Sequence, residues 1–168
     1  MPAYKAKGIS LKTAPFAEAD KMVTLFTRER GKVRAIAKGA RRIPSRLCGR
    51  VETLTYGDYF IVKGRSLDII SQCQVLETFQ GVREGDQTLP AALYIIKLVN
   101  SGTVDGQQHP ELFDLTLRFL QRLKSGDNPR LVAKQFVKEF VLLEGIFQAE
   151  VNPTDSLSDH VGRDLRVW

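Results

Sequence analysis

The sequence is poor in the residues that thiol and metal chemistry need. It has two cysteines, Cys48 and Cys73, and two histidines, His109 and His160, in 168 residues. Two cysteines so far apart make neither a disulfide framework nor a four-thiolate zinc site. They read as buried or half-buried thiols in a reducing cytoplasm. Neither histidine has a nucleophile or ligand partner near it in sequence. There is no Gly-rich loop ending in Lys-Ser/Thr, no Gly-x-Gly-x-x-Gly after a strand and no His-Glu-x-x-His. Acidic residues in the N-terminal half are scattered, so no carboxylate cluster for metal-assisted nuclease work is apparent. No apolar run approaches the ~18 residues of a spanning helix, because Lys97 interrupts the best candidate, Leu93 to Val99. Met1-Pro2-Ala3-Tyr4-Lys5 carries no apolar leader stretch. The expectation is a cytoplasmic protein with no catalytic residues, no metal, no cofactor and no membrane partner.

What the chain does have is positive charge, unevenly spread. The formal net charge is +6. Through Gln80 there are 15 basic and 7 acidic residues; beyond it there are 10 basic and 12 acidic. Between Arg28 and Arg50, nine lysines and arginines face Glu29 alone. Such density predicts a polyanionic partner, nucleic acid or an anionic membrane surface, against the plainer alternative of a solvated basic face.

The hydrophobic period divides the chain at about the same place. Tyr4 to Leu11, Lys21 to Arg28, Gly31 to Lys38, Val51 to Val62 and Ser66 to Phe79 carry the β-branched and aromatic content of strands. Arg28-Glu29-Arg30-Gly31 is a hairpin turn signal, and Gly39 to Gly49 reads as a long loop. Five strands in about 80 residues, with no long helix between them, predict a small closed or nearly closed barrel, and an SH3-like barrel also fits. After Gly81 the stripes become helical: Leu89 to Val99, Pro110 to Lys124, and Pro129 to Phe147, with Asp127 or Asn128 as a helix cap. Thr154 to Arg166 suggests a short terminal helix. The reading is an α+β chain, with residues 1–80 a barrel and residues 81–168 a helical bundle.

Alternation on Gly31 to Lys38 puts Lys32, Arg34 and Lys38 on one face, with Arg41, Arg42 and Arg46 on the adjoining loop. Guanidinium forks suit phosphate, and aromatics stack on bases without reading them. The same alternation puts Tyr56, Asp58 and Phe60 on one face of their strand and Tyr59 on the other, so one set is core. A single-strand-binding barrel is the favoured reading. A sequence-tolerant RNA-binding barrel and an adaptor for acidic protein tails remain open beside it.

The runs Gly8-Ile9-Ser10-Leu11, Glu18-Ala19-Asp20-Lys21, Leu25 to Arg34, Ala37 to Arg42 and Ser45-Arg46-Leu47 resemble the recombination mediator family RecO. The similarity is nearly continuous through Phe79. It is looser in Ala92 to Leu98 and Phe136 to Gly145. The resemblance implies an OB-fold followed by a helical domain, in a non-enzymatic DNA-repair protein that binds single- and double-stranded DNA. It implies strand annealing and, with RecR, loading of RecA onto DNA coated by single-stranded-DNA-binding protein. The family's DNA contacts correspond to Arg28, Lys32, Arg34, Lys38, Arg41, Arg42 and Arg46. Its contact with the acidic tail of single-stranded-DNA-binding protein corresponds to Lys134. A nucleoid-associated monomer is the expected state. Family members usually continue through a four-cysteine module that this sequence does not contain, so the expectation is either a truncated form or a branch that has lost it.

Overall fold

A computed structural model describes residues 2–145. Five strands come first: β1 (Ala3–Phe16), β2 (Asp20–Thr27), β3 (Gly31–Ala37), β4 (Tyr56–Val62) and β5 (Asp68–Glu77). Four helices follow: α1 (Gln80–Glu84), α2 (Thr88–Gly102), α3 (Pro110–Lys124) and α4 (Pro129–Leu143). The strands close into a barrel in the order β1-β2-β3-β5-β4. Every pairing is antiparallel except β3 with β5. This is the OB-fold, which decides against the SH3-like alternative.

The first strand is longer than its sequence pattern suggests. β1 pairs β4 through Ala3–Ile9 and β2 through Gly8–Phe16, with the register shifting between Ser10 and Lys12. That bulge lets one strand serve two neighbours in succession. The fourth strand is shorter than the expected Val51 to Val62. Ser10 accounts for it: its hydroxyl donates to the Val51 carbonyl at 3.1 Å, and its backbone exchanges bonds with Leu54 and Thr55. Leu54 has φ +76, so residues 51–55 form a turn packed on β1 rather than a strand.

Inside the barrel, Val23, Leu25, Ala35, Ala37, Tyr59, Ile61, Ile70 and Cys73 are buried together. The loop between β3 and β4 adds Ala40, Leu47 and Val51 to the same core. Burial is the main cause that pushes the Cys73 thiol up to about 11 and raises the Tyr59 hydroxyl well above its usual range. The other thiol differs from expectation: Cys48 is exposed, because it sits in the basic loop beside the Leu47 anchor.

The chain forms two compact units. One comprises the residues up to Thr78 together with Val104–Pro110; the other comprises Phe79–Thr103 and the described residues from Glu111. A single boundary after residue 80 therefore misses the return of Val104–Pro110 to the barrel unit. In the helical unit, Phe119 meets Phe136 edge-on at 5.5 Å, and Phe136 lies 5.8 Å from Phe140. Asn128 caps α4, its side chain accepting from the Arg130 and Leu131 amides, while Asp127 instead pairs with Arg122. The five-residue helix α1 has no counterpart in the sequence pattern, being too short to carry a stripe. The expected extension of α4 to Phe147 and the terminal helix from Thr154 lie outside the described residues.

Replacing Phe136 by Ala should lower unfolding stability by about 3–5 kcal/mol, measured by urea denaturation. Cys73 gives a pH signature. Its folded pKa exceeds the ordinary thiol value of 9.0, so its contribution is complete below pH 9 and is lost as pH rises towards 11. Thermal melts of wild type and Cys73→Ala across that range should converge in their pH dependence at the lower end. At pH 8 a thiol reagent should modify Cys48 in the native protein and reach Cys73 only on unfolding.

Candidate nucleic-acid interface

β3 is built for two environments. Ala35 and Ala37 face the core, while Arg34 stands out in solvent with its side chain 60% exposed. Lys38 continues the outward row just past the strand and is exposed. Arg41, Arg42 and Arg46 are exposed on the following loop. That loop is anchored rather than loose. Ala40, Leu47 and Val51 are buried in the barrel core. The Gly39 amide donates to Asp20 Oδ1 at 2.8 Å, and the Arg41 amide donates to the Ala19 carbonyl at 2.9 Å. Arg41 Nη1 also reaches the Ala17 carbonyl at 3.3 Å. Apolar residues pin the loop inward and its arginines are displayed outward as a consequence.

At the other end of β3 the cations are compensated. β5 pairs β3 only at Ala35 and Ile36, which leaves the first part of β3 with an edge that β5 does not reach. The segment Val104–Pro110 occupies it. The Gly106 amide donates to the Lys32 carbonyl at 2.8 Å, and Lys32 and Asp105 form a parallel bridge. Asp105 then lies 3.7 Å from Lys32 Nζ and 3.4 Å from Arg34 Nη2. The Lys32 side chain is only 11% exposed. Gly31 permits this close approach, since a Cβ there would lie 2.0 Å from the Gln107 carbonyl oxygen, and its φ is +70. Alternation places Lys32, Arg34 and Lys38 in one row, but Asp105 engages the first two and leaves Lys38 outside its reach. Nothing in the polar run around Asp105 signals this return to the barrel.

Arg28 is exposed at the β2–β3 turn, where its amide donates to the Lys7 carbonyl. On β1 and β4, Lys5 and Lys7 lie 3.6 and 3.9 Å from the mostly buried carboxylate of Asp58. Lys5 also lies over the Phe60 ring at 5.4 Å. Tyr59 is fully buried and cannot stack on a base; Tyr56 and Phe60 are half-buried on the opposite face.

Lys134 belongs to the helical unit. It is exposed on α4 between Arg130 and Lys138, at i, i+4 spacing, with Leu131 also exposed on that side. Among the described residues, no group of His, Cys, Asp and Glu side chains is placed to hold a metal ion. No described helix is long and apolar enough to cross a membrane.

Comparison with known proteins follows the two parts of the chain. Residues 1–79 match the family model "Recombination protein O N terminal", and residues 87–139 match "Recombination protein O C terminal". A DNA repair protein RecO from Gloeobacter violaceus is 37% identical over 145 residues, covering 86% of this chain and 53% of the relative. One from Acaryochloris marina is 41% identical over 122 residues, covering 73% and 42%. One from Alkaliphilus metalliredigens is 40% identical over 120 residues, covering 71% and 49%. The chain thus spans about half the length of these relatives. With the barrel and the helices each matched in order by the same family, the chain belongs to the RecO family of DNA repair and recombination proteins.

Proposed function

We propose that the barrel binds single- and double-stranded DNA without strong sequence preference, as part of a non-enzymatic recombination mediator. One observation carries the reading. Arg34, Lys38, Arg41, Arg42 and Arg46 form a chain of exposed cations along a strand and a loop pinned by its own apolar residues. Arg28 extends the surface at its other end, where Lys32 is largely covered and paired with Asp105. Anchored cations lose less conformational freedom on meeting phosphate than cations on a loose tail. Holding two backbones against one basic surface screens their repulsion while base pairing selects the partner, which is a physical route to strand annealing. Beyond this, the family role supplies RecR as partner and RecA loading on coated single strands as outcome. The exposed Arg130, Lys134 and Lys138 row beside Leu131 suits the acidic tail of single-stranded-DNA-binding protein. The setting is the nucleoid, and the chain alone acts as a monomer. An RNA-binding role uses the same phosphate chemistry; competition of single-stranded DNA against RNA of matched sequence separates the two.

Three measurements test the electrostatic core of the proposal. With about five phosphates neutralised, log affinity for a single strand against log salt should have a slope of about −3.5; a slope near zero removes the reading. The triple charge reversal Arg34→Glu, Lys38→Glu, Arg41→Glu should abolish binding and annealing in a chain that still melts cooperatively. Retained binding in that folded variant would move the site elsewhere. Asp105→Asn frees Lys32 and Arg34 from their internal counter-charge, and should tighten single-strand binding roughly two- to fivefold at low salt.

A further inference from the structure

One end of the barrel carries an open crevice of about 510 Å³, within the ~300–1,000 Å³ range of small-ligand sites. It lies where β1, the start of β3, the β4–β5 turn and the Asp105 strap diverge. Its walls include Tyr4, Arg30, Arg34, Lys63, Asp68 and Asp105. The Arg30 guanidinium lies over the Tyr4 ring, 4.0 Å from its centroid. Tyr4 is held from behind, because its hydroxyl donates to Asp68 Oδ2 at 2.8 Å, and Asp68 Oδ1 accepts from the Gly64 amide at 3.3 Å. Burial and the Asp68 bond together raise the Tyr4 hydroxyl above its usual range. Among the described residues no carboxylate is ion-paired with Arg30 or Lys63.

We propose that this crevice takes one unpaired nucleotide of a bound single strand, its base stacked on the outer face of Arg30 and its phosphate held by Lys63 and Arg34. The inference rests on the DNA-binding reading above and extends it to residues outside the basic loop. The lining argues for a nucleotide rather than a bare phosphate. Asp68, Asp105 and Glu29 would repel a group that is only anionic. A nucleotide brings an anion for the cations and a flat, neutral, hydrogen-bonding base for the remainder. A guanidinium plane already stacked on an aromatic is a pre-formed platform, and bases of single strands stack on such planes. A base inside a duplex cannot reach it without first being unstacked and unpaired. The crevice therefore favours single strands, while the basic loop serves single and double strands alike.

Arg30→Lys tests this in the whole chain, because it keeps the charge and removes the plane. Arg30 is exposed, and a thermal melt checks that the variant folds like wild type. Anisotropy titrations use three probes of equal length: oligothymidylate, an oligomer with abasic sites, and a hairpin duplex. The expected result is a loss of about fivefold or more on oligothymidylate and less than about twofold on the other two. An equal loss on all three would make Arg30 an ordinary phosphate contact and overturn the proposal. No loss on any of them would leave the crevice without a base and overturn it too. If wild type binds none of the probes, the DNA-binding reading itself fails and this one falls with it.

Discussion

Barrel closure rests on a short contact. β5 meets β3 in parallel at Ala35 and Ile36 only, yet that junction completes the ring and seals the core around Tyr59, Ile61 and Ile70. Because the contact is short, the first residues of β3 retain an open edge whose backbone groups need partners. The Asp105 strap bonds to that edge through the Gly106 amide and the Lys32 carbonyl, and in doing so brings a carboxylate onto two of the cations that β3 displays. The crevice beside Tyr4 and Arg30 opens in the same gap. Core closure, charge compensation and candidate binding surface are thus three results of where one strand starts.

Formal charge and available charge differ accordingly. The barrel half carries a large basic excess, but Lys32 and Arg34 share Asp105, Lys5 and Lys7 flank Asp58, and Lys21 is bonded to Glu52. Each of these pairs has at least one solvent-exposed member, so salt screens it and it lowers the local potential more than it stabilises the fold. The most open part of the cationic surface is the loop from Lys38 to Arg50. That loop replaces regular structure between β3 and β4, and its order comes from buried Ala40, Leu47 and Val51 rather than from a helix or strand.

Local signals were readable in the sequence and tertiary ones were not. Alternation along Gly31 to Lys38 gives the inward Ala35 and Ala37 and the outward Arg34, because a strand's period is set by its own backbone. The Pro129 start of α4 and the positive φ of Gly31 are equally local, while the cap was legible only as Asp127 or Asn128. The division of Tyr59 from Tyr56 and Phe60 follows from the same period. The length of β1 was hidden, because a bulge breaks the alternation that would announce it. Val51 to Thr55 looks like strand by composition, but its backbone is spent on Ser10. The cationic loop was visible as density of charge; Asp105 was not, because its place depends on backbone hydrogen bonds to a distant edge and no side-chain pattern encodes them.

The strap also has a consequence for the order of events in synthesis. Residues up to Thr78 hold all five strands of the barrel, so the ring can close as soon as β5 is available. The edge of β3 cannot be covered until Val104–Pro110 has been made, after α2. During that interval a nascent barrel exposes unpaired strand groups next to uncompensated cations, a surface that both β-pairing and polyanions recognise. The strap covers part of that edge and moderates both hazards, so a segment lying between two helices acts as the final piece of the barrel.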